Sequence, residues 1–483
     1  MARTLDDSIC SQSLTDVAAA LQRRELSPVE LTQLQLERIA RCDSALNSFL
    51  TVLPERALEQ ARRAEAEIVA GKLRGPLHGI PIAVKDLCDT KGIRTSCASR
   101  ILWDNIPDRD ATVVLRLEAA GAVLLGKLNM TEFALSGYHP TLPVPRNPWN
   151  LDRATNGSSS GSGVATAAGL CFASLGTDTG GSIRGPSSWC GVVGLKPTFG
   201  RVSRFGVFPL GTSLDHVGPM TRTIADAAIM LRVIAGPDPH DPTALQAGVP
   251  DYAGALDAGI NGLRIGIDEA YAGMAATAEM CAATLEAGRV LERCGATLRR
   301  VEVPNVDAAC RAWSPICGSE AAAAHAAFFP ARAAEYGPSF RSFLEIGSRF
   351  SGADYAAAHV ARLDFAGGLA ALFREIDVLL CPGNFGAAVP ADAMPPDMAY
   401  STDFWPFMRY TAPFNMSGSP TLSIPAGFSS DGLPLGVQLV GRHLDEATLC
   451  RVGHAYQRAT DWHMRRPEDP GESRKLERTK ARD

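Results

Sequence analysis

A chain of 483 residues with 46% hydrophobic and 20% charged side chains has the balance of an enzyme with a large buried core. Its net charge of −5 gives no reason to expect nucleic acid or an anionic membrane as a partner. No stretch is long and apolar enough to span a bilayer, and Met1-Ala-Arg-Thr-Leu-Asp-Asp lacks the apolar run of a secretory signal, so a cytoplasmic protein is expected. The twelve cysteines are scattered through apolar segments without a C-x-x-C pair, which argues for reduced, buried thiols rather than disulfides or metal ligands.

Taken in chain order, residues 14–70 read as helices. Ser27-Pro28-Val29-Glu30 is a capping-box pattern with proline at the first helical position, and apolar residues follow at helical spacing through Ile39. From residue 80 the pattern changes to short apolar runs at 80–84, 122–125, 263–267, 378–381, 421–424 and 436–440. Helical segments at 110–120 and 275–294 are interleaved with them. This predicts an α/β fold: one domain over residues 1–470, with a mixed, mostly buried β-sheet covered by helices on both faces. Within it the N-terminal helices span 1–70, a catalytic core 75–230 and a C-terminal return to the core 377–466. Residues 307–376 are helix-prone and rich in aromatic side chains, and read as a variable insertion on the substrate side. The charged stretch 471–483 is expected to fray.

Two loops carry the chemistry. Asn156-Gly-Ser-Ser-Ser-Gly-Ser-Gly163 and Leu175-Gly-Thr-Asp-Thr-Gly-Gly-Ser182-Ile-Arg-Gly-Pro186 pack serines among glycines. Glycine lets backbone N–H groups turn toward a bound oxygen, and a hydroxyl beside such a nest is half of an acyl-transfer site. The missing half is a base. The best candidate is Lys85, closing the apolar run Gly79-Ile-Pro-Ile-Ala-Val-Lys85, where burial would disfavour the ammonium form. Two overlapping patterns fail for want of a strand in front of them: Gly157-Ser-Ser159-Ser-Gly161 as a nucleophile elbow, and Gly161-x-Gly163-x-x-Thr166 as a dinucleotide loop. The nine histidines offer no H-E-x-x-H and no clustered ligand set, so neither a metal nor an organic cofactor is expected. His216, next to Asp215, is expected to bond local backbone rather than act as a base.

These segments resemble the amidase signature hydrolases. So do Cys190-Gly-Val-Val-Gly-Leu-Lys-Pro-Thr198, Ser213-Leu-Asp-His-Val-Gly-Pro219, Pro413-Phe-Asn-Met-Ser-Gly-Ser-Pro-Thr-Leu-Ser-Ile-Pro425 and Leu433-Pro-Leu-Gly-Val-Gln-Leu-Val-Gly441. The resemblance implies a Ser-cisSer-Lys triad: Ser182 as nucleophile, Ser158 as a bridging serine after a cis peptide, with Ser159 the alternative, and Lys85 as general base. It implies an oxyanion hole from the N–H groups of Thr179, Gly180, Gly181 and Ser182. Asp178 and Arg184 would pair and brace that loop. The acyl side is expected to involve the loop after Asn129-Met-Thr-Glu-Phe133, including Gly137 and Tyr138, with a few of Trp313, Phe328, Phe329, Phe340, Phe343, Phe350, Phe404 and Trp405. The partner so implied is a small-molecule amide, anilide or carbamate, apolar or aryl; a homodimer stays open. The alternative is the glutamine-hydrolysing component of a tRNA-dependent amidotransferase, its A chain. Three positions depart from the commonest family loop: Asn156 and Ser160 stand for glycines, and Gly163 stands for alanine.

Overall fold

The computed structural model describes residues 6–393 and 408–469. Eleven strands form one mixed sheet: β1 (Phe49–Val52), β2 (Pro81–Lys85), β3 (Val123–Leu128), β4 (Ala173–Asp178), β5 (Val193–Lys196), β6 (His216–Thr221), β7 (Arg264–Ile267), β8 (Thr297–Arg300), β9 (Val378–Pro382), β10 (Thr421–Phe428) and β11 (Pro434–Gly441). Their order across the sheet is β1-β3-β2-β4-β6-β5-β10-β11-β9-β7-β8. Pairing is parallel only within β3-β2-β4 and β9-β7-β8.

Both faces of the sheet are covered, and the period-2 alternation of the strands shows how. Ile82 and Val84 of β2 and Leu124 of β3 join one apolar cluster, whereas Ala83, Val123 and Leu125 join another on the opposite face. All six apolar runs expected as strands are strands. The N-terminal region is not wholly helical, because β1 lies between the helices Pro28–Leu46 and Pro54–Val69 and pairs with β3. Of the capping box at Ser27, only the serine half is made: its hydroxyl accepts from the N–H groups of Val29 and Glu30, both at 3.1 Å.

In the aromatic segment, the helices Pro338–Gly347 and Gly352–Leu372 both pack on the helix Val306–Ala324. Glu132 ties this unit to the core, accepting from the Ser99 hydroxyl at 2.6 Å and the Gly337 N–H at 2.8 Å. The expected charged tail and the aromatic pair Phe404 and Trp405 lie outside the described residues.

Candidate active site

Because β2 and β4 run parallel, Lys85 and Asp178 end at the same side of the sheet, where crevices form in such sheets. The register Val84↔Leu175 sets Lys85 alongside the Gly176–Thr177 stretch. The serine loop reaches the same place by a close approach. Gly161, in the first turn of the helix Ser160–Ala167, passes so near the chain that a Cβ would stand 2.4 Å from Ser48 O and 2.5 Å from Asn129 O. Asn156 takes a left-handed φ of 61° and its Oδ1 accepts from the Gly157 N–H at 2.7 Å. Asparagine is one of the few residues that replace glycine there at low cost. The next peptide, Gly157–Ser158, is cis.

Lys85 is 0% exposed, and its Nζ lies 2.7 Å from Ser158 Oγ, 2.9 Å from Ser159 Oγ and 2.8 Å from Thr177 Oγ1. Burial pushes its amine down from the ordinary 10.5 to about 7, outweighing the opposing influence of Cys88, Asp178 and Asp215. The two neighbouring serines differ in what else they hold. Ser159 Oγ donates to Thr177 O at 3.1 Å and accepts from the Thr177 N–H at 3.1 Å, so its proton is engaged. Ser158 has no such commitment and lines a cavity of about 440 Å³. A neutral amine has two N–H donors and one lone pair. The lone pair can meet the Ser158 proton while the donors serve Ser159 and Thr177.

Ser182 lines the same cavity, as do Thr179, Gly180, Gly181, Gly137 and Tyr138, whereas Lys85 and Ser159 are not among the lining residues. Among the described residues no hydrogen bond joins the Ser182 hydroxyl to Ser158; such contacts often tighten only when substrate is bound. The loop around Ser182 is fixed by Asp178, whose carboxylate accepts from the N–H groups of Gly181 at 2.9 Å and Ile183 at 3.0 Å. The Gly181 N–H is therefore taken, whereas among the described residues the N–H groups of Thr179, Gly180 and Ser182 have no protein acceptor.

Asp178 and Arg184 form a two-bonded ion pair, Nε to Oδ2 at 3.0 Å and Nη2 to Oδ1 at 2.9 Å, with both side chains fully buried. Burial alone would raise the Asp178 carboxyl, but the Arg184 charge and bonds from Arg184 and Asn415 hold it well below the usual carboxylate range. Arg184 also donates to Thr411 O at 2.9 Å and Asn415 Oδ1 at 2.6 Å, so the loop is braced against the C-terminal block. His216 meets Leu214 O at 2.6 Å through Nδ1, and burial with the Lys196 charge depresses it far below neutrality.

Sequence reasoning missed Thr177 as a partner of Lys85, Asn415 as the bridge to Asp178, and Thr411 beside Gly180, and it offered Ser159 only as the alternative to Ser158, whereas both serines meet the amine. Of the aromatic side chains, Trp313 lines the cavity, while Phe340 and Phe343 are buried in the core. Among the described residues no group of three or more His, Cys, Asp or Glu side chains is placed to hold a metal ion. Nor is any helix there long and apolar enough to cross a membrane.

Comparison with known proteins agrees with this architecture. The family model described as Amidase matches residues 30–450. The "Putative amidase AmiD" of Mycobacterium tuberculosis is 45% identical over 464 residues, covering 96% of this chain and 97% of its own. The A chain of the glutamyl-tRNA(Gln) amidotransferase of Roseiflexus sp. is 43% identical over 490 residues, covering 95% and 99%. A solved bacterial aryl acylamidase of the amidase signature family superposes with a TM-score of 0.86 at 26% identity, covering 95% of this chain and 99% of that one. The chain belongs to the amidase signature family and is an amidase, a hydrolase of carbon–nitrogen bonds.

Proposed function

We propose that this amidase cleaves the C–N acyl bond of a small, uncharged, apolar or aryl amide, anilide or carbamate through an acyl-enzyme on Ser182. One observation carries the substrate class: among the described residues, no charged side chain lines the cavity that holds Ser158 and Ser182. Its walls are Leu135, Val144, Trp189, Leu210, Trp313 and Phe385, with hydroxyl and amide groups between them. An apolar pocket with a few polar groups suits an aryl or alkyl substrate. A zwitterionic amino-acid amide would bring two charges into it without partners, which is costly.

The proton path follows from the bonds around Lys85. Neutral Lys85 takes the Ser158 proton as Ser158 takes that of Ser182, and Ser182 Oγ bonds the acyl carbon. Oxyanion charge meets the N–H groups of Thr179, Gly180 and Ser182. As the C–N bond breaks, Ser158 gives its proton to the leaving nitrogen and recovers one from Lys85. Water then releases the acid by the same route. Twelve free cysteines, ten of them buried, support a cytoplasmic, reducing setting.

The 43% identity to a glutamyl-tRNA(Gln) amidotransferase chain favours glutaminase activity as the second reading. The isolated chain should therefore be assayed against amides, anilides, carbamates and glutamine, with a fluorophosphonate used to map the reactive residue. The proposal expects turnover of neutral aryl or alkyl substrates and the adduct on Ser182. Glutamine as the only substrate, or an adduct on Ser159, would overturn it.

A further inference from the structure

The helical segment lines the cavity with Trp313, Pro338 and Ser339, and the first of these also bonds the loop that carries Ser182. The Trp313 indole Nε1–H donates to Thr179 O at 2.8 Å, from a residue only 4% exposed. In a trans peptide the C=O and the following N–H point in opposite directions. A carbonyl held by Trp313 therefore turns the Gly180 N–H away from the indole. The next peptide is pinned in the same manner: Thr411 Oγ1 donates to Gly180 O at 2.6 Å, and the Gly181 N–H on its far side meets Asp178 Oδ1 at 2.9 Å. The loop also runs close against the indole at Gly180. A Cβ on Gly180 would stand 3.1 Å from Trp313 Nε1, 3.2 Å from its Cε2 and 2.8 Å from Met408 Cε, so no side chain fits between them.

We propose that Trp313 is a positioning residue for the oxyanion hole, holding the Thr179–Gly180 peptide so that the Gly180 N–H is aimed at the developing oxyanion. It rests on the reading of Ser182 as the nucleophile. The indole makes the bond before substrate arrives, so no reorganisation is needed during the reaction. Without the bond, the Thr179 carbonyl loses a buried partner and the peptide is free to rotate. The effect belongs to the transition state: kcat falls while KM holds.

Trp313→Phe tests this, since it keeps an aromatic wall and removes the N–H. Losing an oxyanion donor outright costs about 10²–10³ in rate, so its misalignment is expected to lower kcat by about 10–100-fold. KM should change by less than about threefold, and the rate of fluorophosphonate labelling at Ser182 should fall in step with kcat. If the phenylalanine variant does not fold, replacing the indole by its benzothiophene isostere removes the same N–H at constant shape and must show the same loss. A variant with kcat near that of the parent, or with KM raised alone, overturns the proposal and leaves Trp313 as a wall of the pocket. Failure of the unaltered protein to label at Ser182 is a separate result: it removes the nucleophile reading, and this proposal falls with it.

Discussion

Lys85 is the base of the proposed mechanism, and its burial has two measurable consequences. An amine lowered to about 7 is the competent base only when neutral, so activity should rise with pH through that region and stay high into the alkaline range. Stability has its own pH dependence. Between about 7 and the ordinary 10.5 the native state holds Lys85 neutral while the unfolded chain keeps it protonated, so the unfolded state binds more protons and stability rises with pH across that window. Below pH 7 the lysine imposes its full cost, of the order of several kcal/mol. Lys85→Met should therefore be inactive yet more stable than the parent. Denaturant titration should show a margin that is greatest at neutral and lower pH and shrinks toward pH 10.5. A margin that grew with pH would contradict the buried-amine picture. Asp178 is the opposite case, a charge kept by a partner. Asp178→Asn leaves Arg184 charged and buried without its carboxylate, so a loss of about 3–5 kcal/mol is expected in equilibrium unfolding.

The strands best read from sequence were those whose residues are apolar throughout, such as Ile82, Ala83 and Val84, because both faces of the sheet are buried. The missed strands have local reasons. β4 reads Ala-Ser-Leu-Gly-Thr-Asp and β6 reads His-Val-Gly-Pro-Met-Thr, with glycine, proline and polar residues inside fully buried strands. β8 is an edge strand, Thr-Leu-Arg-Arg, whose arginines are exposed. Lys85, Ser158 and Ser182 were legible because short motifs carry them. The Trp313 bond to Thr179 joins residues 134 positions apart and has no local signature. The helix Ser160–Ala167 offers a test at this level. Gly161→Ala would press a methyl group against backbone atoms of Ser48 and Asn129 at 2.4–2.7 Å, so the helix must shift. Loss of activity is expected together with a destabilisation of about 1–3 kcal/mol, read as a lower Tm. An unchanged Tm would show that the close approach is relieved at no cost.

Across the molecule, segments far apart in sequence converge on one end of the parallel β2–β4 pair: the lysine strand, the serine loop, the Ser182 loop, the C-terminal block with Thr411 and Asn415, and the helical segment with Trp313. The first four hold motifs in order along the chain; the fifth was expected on the substrate side from its aromatic side chains, but the bond from Trp313 to Thr179 comes only from the fold. With no three-ligand metal group among the described residues, dialysis against a strong chelator should leave turnover unchanged. Loss on chelation with recovery by one divalent ion would count against the serine mechanism. The most direct test of Lys85 as a neutral base is the kcat of Lys85→Arg in a folded protein, measured from pH 6 to 10. Arginine keeps the positive charge but does not deprotonate in this range. The expected result is a loss of about 10³-fold or more at every pH. A kcat near that of the parent would contradict it, showing that the cation is structural and that the base lies elsewhere.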